Sequence, residues 1–251
     1  MSGKVVWHDL NTRDTAKAAS FYGELLGWQV RSREMEGKKH DFFYLGEEGL
    51  GCLVKQDPKD PMPAHWTAYV QVDDLDAAVK RAQRAGGTAP VPRMAITDKD
   101  AFAILVDPLG ATIAAYYTSN PLPPGYPKQG PGTFCWEELL TTDPKRMLAF
   151  YGEAFGWTHE TVQMPIGPYH LLKAGDAQVG GVMQMPPGVL APHWLSYIAV
   201  KDMNGASAKA GKLGAQQHVP PTDIPGIGRF SVHADPQGAS FALYTSAAKK
   251  A

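Results

Sequence analysis

Residues 7–28 read WHDLNTRDTAKAASFYGELLGW, and residues 136–157 read WEELLTTDPKRMLAFYGEAFGW. Trp7, Phe21, Tyr22, Gly23, Glu24, Gly27 and Trp28 each recur 129 positions later, as Trp136, Phe150, Tyr151, Gly152, Glu153, Gly156 and Trp157. A second anchor, His65-Trp66 against His193-Trp194, is 128 apart, and at that spacing Asp107-Pro108, Gly110 and Tyr116 meet Asp235-Pro236, Gly238 and Tyr244. Recurrence over nearly the whole chain marks a tandem duplication of one unit of about 115 residues. Between the copies, residues 118–132 read TSNPLPPGYPKQGPG. Pro121, Pro123, Pro124, Pro127 and Pro131 deny this stretch helix and central-strand geometry and predict a semi-rigid linker. The expected division is a first domain over 1–118, a linker over 119–132 and a second domain over 133–251.

Each copy divides again. In the first, a strand over Val5–Leu10 leads to a helix capped near Thr12 or Asp14 and ended by Gly27. In the second copy Asp143-Pro144 supplies a capping carboxylate followed by proline at the first helical position. Strands are predicted around 28–33, 41–46 and 50–55, with turns at Gly46 and Gly49. The order then repeats: a strand over Trp66–Val72, a helix begun by Asp73 or Asp74 and stopped at Gly86-Gly87, and strands near 91–95, 101–106 and 112–117. The fold class is α+β, with four βαβββ modules.

Composition narrows the function. The 251 residues are 44% hydrophobic and 20% charged, with a formal net charge of −1, as in a well-cored globular chain. Dispersed charges argue against nucleic-acid or membrane partners. No stretch approaches the roughly 18 apolar residues of a membrane span. MSGKVVWHDL lacks the apolar core of a secretory signal, so a cytoplasmic location is expected. Cys52 and Cys135 occupy non-equivalent places in the two copies and read as free thiols.

The order of a strand, a helix carrying FY, then LGW, a later VDDL helix start and a DPxG hairpin resembles the vicinal oxygen chelate superfamily. That superfamily includes glyoxalases, bleomycin-resistance proteins and extradiol dioxygenases. The likeness covers both copies, and the two-copy layout is similar to tandem glyoxalase-like proteins labelled hydroxylases. The resemblance implies two glyoxalase-like domains, each with a curved mixed sheet from paired modules. Enzymes of the family usually hold a metal with His or Glu ligands on the first and last strands of each module.

Carried onto this chain, those positions fall at Trp7 and Trp136, at Thr67 and Leu195, and at Ala114 and Ala242. The remaining one falls within LGCLVKQ (50–56) or VGGVMQM (179–185), neither of which contains His, Asp or Glu. A catalytic metal needs about three protein ligands, and indole, methyl and isobutyl groups offer none. The expectation is no metal and no other cofactor. A one-residue slip would instead present His8 and Glu137, but it would also turn those residues to the opposite sheet face.

With Trp7 facing the cleft, alternation places Asp9 there too, and Trp136 brings Glu138. On the second module's first strand the same logic brings His65 and Tyr69, with His193 and Tyr197 as counterparts. Asp9, His65, Glu138 and His193 are therefore the candidate catalytic groups. Trp7, Tyr69, Trp136 and Tyr197 are the candidate ligand-binding groups. Plain alternatives stand beside them: the tryptophans as core filling, and the histidines as solvated strand ends after Pro63 and Pro192. Trp28, Trp157, Phe21, Phe150, Trp66 and Trp194 read as core. His40, Asp41 and His170 lack consistent counterparts, and His233 aligns with Leu105, so a role for it would belong to the second copy alone. Gly180-Gly181 reads as a bulge.

The leading functional expectation is metal-free binding of a hydrophobic or aromatic small molecule, by a monomer or homodimer. The alternative is a natural-product-modifying enzyme (hydroxylase, ring-opening, isomerase or lyase) using the carboxylates and histidines as acid–base groups. A metal-dependent dioxygenase or glyoxalase is disfavoured by the missing donors.

Overall fold

The computed structural model describes residues 3–35, 37–123 and 125–247; Pro124 of the linker lies outside them. Among the described residues the elements of the first copy follow in the order β1(Val5–Thr12), α1(Thr15–Leu26), β2(Gln29–Met35), β3(Lys38–Leu45), β4(Glu48–Lys55), β5(His65–Gln71), α2(Leu75–Arg84), β6(Thr88–Ala95), β7(Asp100–Val106) and β8(Thr112–Thr118). The second copy repeats it as β9(Phe134–Thr141), α3(Pro144–Phe155), β10(Thr158–Met164), β11(Gly167–Ala174), β12(Ala177–Gln184), β13(His193–Ala199), α4(Met203–Lys212), β14(Gln216–Ile224), β15(Gly228–Ala234) and β16(Ser240–Ser246). This is the βαβββ module used four times. Each copy contributes one mixed eight-stranded sheet, ordered β2-β3-β4-β1-β5-β8-β7-β6 and β10-β11-β12-β9-β13-β16-β15-β14. Between β8 and β9 the described linker residues form neither helix nor strand.

The helix boundaries follow the capping chemistry. Asp14 accepts from the Lys17 amide at 3.0 Å, and Asp143 from the Arg146 amide at 3.0 Å. Each satisfies a backbone donor that the first turn leaves open. Asp74, rather than Asp73, caps α2. Gly27 and Gly156 end their helices at φ 76° and 72°, a conformation costly for residues with a Cβ. Gly49, expected in a turn, lies inside β4, and the turn is made at Gly46.

The compact units do not follow the sequence copies. One comprises Met1–Trp7, Thr67–Pro127 and Trp136–Leu195; the other comprises His8–Trp66, Lys128–Cys135 and Ser196–Ala251. Each therefore joins the second module of one copy to the first module of the other. In the first unit Phe150, Tyr151 and Phe155 of α3 share a core with Leu75 and Val79 of α2 and with Leu105. Gly87 makes room there, because a Cβ would stand 2.7 Å from the Phe150 ring and 2.8 Å from the Val106 carbonyl oxygen. In the second unit Phe21, Tyr22 and Leu25 of α1 share a core with Met203 of α4 and with Phe241 and Leu243 of β16.

A polar chain threads each core and explains why the FY and DPxG motifs recur together. The Trp194 indole donates to Tyr151 Oη at 2.8 Å, and Tyr151 donates to Asp107 Oδ2 at 3.0 Å. Asp107 Oδ1 accepts the amides of Leu109 (2.8 Å) and Ala111 (3.0 Å). The other unit repeats it with Trp66, Tyr22 and Asp235, at 3.0 and 3.2 Å, the carboxylate holding the amides of Gln237 and Ala239. Burial, and then the adjacent carboxylate, raises both phenols far above the ordinary tyrosine value, so each stays a donor. The tyrosine comes from one copy and the aspartate from the other. The expectation that Trp66 and Trp194 are core residues agrees with this placement, as does the burial of Trp28, Trp157, Phe21 and Phe150.

Candidate functional site

On β1 burial alternates residue by residue: Val6, His8, Leu10 and Thr12 are buried, while Trp7, Asp9 and Asn11 are half-buried. His8 lies on the buried face with its ring stacked on Phe134 at 3.6 Å and 14°. The shifted register that would offer His8 as a metal ligand therefore does not occur. Trp7 and Asp9 share the other face, and Trp136 and Glu138 share the corresponding face of β9 by the same alternation.

Within the first unit, the face of β9, β11 and β12 turned away from α3 carries a linked set of side chains. Trp136 donates its indole N–H to Tyr169 Oη at 2.8 Å. Glu138 lies close to this phenol, and burial followed by the Glu138 charge raises it far above the ordinary value. Tyr169 is 6% and Glu138 8% exposed, while Trp136 is half-buried.

Sequence reasoning missed Tyr169. Its position corresponds to His40 of the first copy, and its signal was the glycine pair 180–181, where the first copy has Gly51-Cys52. Gly180 approaches the Glu137 backbone, and a Cβ on Gly181 would overlap Tyr169 Oη. The register shifts beside the pair, Leu172 facing Gly180 and Lys173 facing Gln178, so Val179 is the extra residue of a bulge next to the glycines, as expected. The pair also permits close approach. Gly181→Ala is expected to expel the phenol and break the Trp136 bond. Red-shifted tryptophan emission with the fold retained by circular dichroism is the result expected; an unchanged spectrum would contradict this geometry.

The two candidate histidines are oriented alike. His65 Nδ1 lies 2.8 Å from the Pro63 carbonyl and His193 Nδ1 lies 2.9 Å from that of Ala191. A carbonyl only accepts, so each neutral ring carries its proton on Nδ1 and its lone pair on Nε2. His193 begins β13, the neighbour of β9 in the sheet, within the unit that holds Trp136 and Glu138. Tyr197 belongs to the other unit, against Phe230 at 6.2 Å between ring centroids. In the first copy Trp7 and Tyr69 fall in one unit, Asp9 and His65 in the other. Tyr69 and Tyr197 are each only 5% exposed, and Tyr69 lies 5.7 Å from Phe102. They present far less surface than an open aromatic wall requires.

Cys52 and Cys135 are free thiols. Burial, with Asp9 and Asp41 nearby, raises the Cys52 thiol far above its ordinary range and keeps it an unreactive neutral group. Two shallow cavities of about 300 Å³ lie in the second unit, one lined by Leu25, Gly132, Val200 and Lys209 and the other by Met203, Ile224, Pro225 and Arg229. Neither touches a candidate residue.

The donor set does not fit the family's usual metal. The corresponding positions present Trp, Thr, Leu and Ala, with Ala114 and Ala242 fully buried on β8 and β16. Among the described residues no three His, Cys, Asp or Glu side chains converge as a possible cation site. No described helix is long and apolar enough to cross a membrane.

The repeated modules and paired sheets are those of the Glyoxalase/Bleomycin resistance protein/Dioxygenase superfamily, to which the chain belongs: that family model matches residues 4–115, and a glyoxalase-like domain model matches residues 135–244. The putative glyoxylase CFP32 of Mycobacterium tuberculosis is 36% identical over 242 residues, covering 94% of this chain and 92% of that protein. The anthracycline biosynthesis protein DnrV of Streptomyces peucetius is 28% identical over 257 residues, covering 96% and 92%. The Mn(II)-bound glyoxalase of Novosphingobium aromaticivorans shares the fold, with a TM-score of 0.66, 13% identity and coverage of 97% of this chain and 82% of that one.

Proposed function

We propose that this chain binds a flat hydrophobic or aromatic small molecule without a metal centre, on the Trp136 face of its second copy. The supporting observation is the Trp136–Tyr169–Glu138 group: a half-buried indole held by a phenol, with a carboxylate close beside that phenol. A fixed aromatic plane beside a few polar groups suits an organic ligand. Burying about 200 Å² of apolar ligand surface contributes roughly 5 kcal/mol before association costs. One or two aromatic stacks add about 1–2 kcal/mol, which gives micromolar affinity at best. The relative named for anthracycline biosynthesis is in keeping with a ring-system ligand.

Emission of the six tryptophans, titrated with a panel of aromatic metabolites, tests the reading. Saturable quenching by at least one compound is expected, weakened about tenfold by Trp136→Phe and unchanged after dialysis against a chelator. A flat response to every compound overturns ligand binding. Affinity lost to the chelator and restored by Fe, Ni or Zn overturns the metal-free part.

Glu138 and the oriented His193 favour a second reading, an acid–base enzyme acting on a natural product. It requires turnover that Glu138→Gln or His193→Ala abolishes while binding persists.

A further inference from the structure

We infer that His159 and His170 form a surface site for one divalent transition-metal ion of the imidazole-preferring kind, an ion clip on the edge hairpin β10–β11 that is separate from the Trp136 face. β10 is the outer strand of its sheet, and β11 pairs with it antiparallel. The register sets Thr161 opposite His170 and His159 opposite Leu172, so these four side chains share one face of the hairpin. Leu172 on that face is buried in the core shared with α3, and Tyr169, adjacent to His170 in the strand, points to the opposite face. The two imidazoles stand edge to face, with ring centres 5.9 Å apart and planes at 85°. Two rings that share an ion, with metal–nitrogen bonds of about 2.0–2.1 Å, bring their centres to about 5 Å. His159 is exposed, so a small rotation of its side chain closes the difference.

His170 is the held arm of the pair. Its Nδ1 lies 2.8 Å from Thr161 Oγ1. An ion on Nε2 fixes the ring proton on Nδ1, and the hydroxyl oxygen accepts it, the kind of outer contact that orients a metal-bound histidine. Burial, and then the neighbouring His159, lowers the His170 pKa below 6.5, which keeps the ring neutral and its lone pair available at pH 7.5. No third His, Cys, Asp or Glu joins the pair among the described residues, which leaves the remaining coordination positions to water. Two neutral imidazoles suit Ni(II), Cu(II) or Zn(II), whereas Mg(II) demands oxygen ligands. The device belongs to the second copy. The counterparts of His159, Thr161 and His170 in the first are Val30, Ser32 and Asp41, where Ser32 donates to the Asp41 carboxylate.

The test is calorimetric titration of the full chain, stripped of metal by a chelator, with Ni(II) and with Mg(II) at pH 7.5. Saturable uptake of Ni(II) is expected, of which one equivalent disappears in His159→Ala and in His170→Ala and persists in His40→Ala, a histidine of the first copy. Thr161→Val weakens that equivalent by about tenfold, as loss of a group orienting a metal-bound histidine does. Ni(II) is also expected to raise the thermal midpoint of the unaltered chain and not that of His159→Ala, because an ion held only by the folded hairpin stabilises it. No uptake of Ni(II), uptake unchanged in His159→Ala, or equal uptake of Mg(II) overturns the inference. If His170→Ala does not fold, His159→Ala decides alone, since that side chain is exposed and its removal costs no core packing. A negative result here leaves binding at the Trp136 face standing, because the aromatic panel tests that face with its own ligands.

Discussion

Residues 1–118 made without residues 133–251 are expected to be insoluble or self-associated, and not a stable folded monomer. Each compact unit draws its core from both copies, so the isolated first copy would expose two apolar faces at once. One is the α1 face with Phe21, Tyr22 and Leu25, which normally meets Met203, Phe241 and Leu243. The other is the surface around Leu75, Val79 and Leu105, which normally meets Phe150, Tyr151 and Phe155. Each large apolar side chain returned to water costs about 1.5–3 kcal/mol, and a domain's whole stability is about 5–15 kcal/mol. A handful of such residues on each face exhausts it. Tyr22 would also lose Asp235, and Asp107 would lose Tyr151. Co-expression of the two halves is expected to restore a soluble one-to-one complex. A monomeric, cooperatively melting first copy in analytical ultracentrifugation and calorimetry would show that the shared cores are dispensable.

His233 is expected to make the chain's stability depend on pH between about 4 and 6.5. Its imidazole is fully buried and stacked on Phe241, with ring centroids 5.6 Å apart. Nε2 lies 2.9 Å from Ser231 Oγ and 3.3 Å from Ser207 Oγ, and Gln217 donates to Ser207 at 2.8 Å. Nδ1 has no hydrogen-bond partner among the described residues. Burial, with a smaller contribution from His218, lowers the ring's pKa from 6.5 to about 4. The unfolded chain therefore takes up a proton as pH falls below 6.5, while the folded chain does not until about 4. Stability is retained above this window and lost on descending through it, by up to about 3 kcal/mol. His233→Leu, which installs the residue that the first copy has at Leu105, is expected to remove this part of the slope. At pH 7 the substitution is expected to change stability by only about 1 kcal/mol, because hydrogen bonds are lost but a buried orphan nitrogen disappears. Urea unfolding at pH 7, 6, 5 and 4.5 checks it. Parallel pH profiles for the two proteins would rule out the assignment.

The candidate site was legible only in part. Alternation on β1 and β9 correctly separated Trp7 and Asp9 from His8, because a strand's side-chain period is two whatever surrounds it. Tyr169 was invisible because nothing local distinguishes a strand tyrosine that braces an indole from one that packs. Its partner Gly181 is twelve residues away, and the glycine matters only once β11 and β12 lie side by side. The same alternation put Tyr69 and Tyr197 on the candidate face, and both are only 5% exposed. Alternation gives a side chain's direction and says nothing of how deeply neighbouring strands bury it. His233 was noticed as unmatched, yet its meaning waited for Ser207 and Ser231, which come from α4 and β15.

The order of elements, the duplication, the helix caps and the want of metal donors at the expected positions were written in the chain itself. Each depends on residues near one another in sequence or on a repeat that can be read directly. Which copy completes which core was decided only in three dimensions. The FY tyrosine and the DPxG aspartate recur in both copies, and either partner would satisfy the same hydrogen bond. Sequence spacing cannot distinguish a bond within a copy from one exchanged between copies. Packing does so, because Phe21 and Tyr22 bury their rings against Phe241, and Phe150 fills the space left by Gly87.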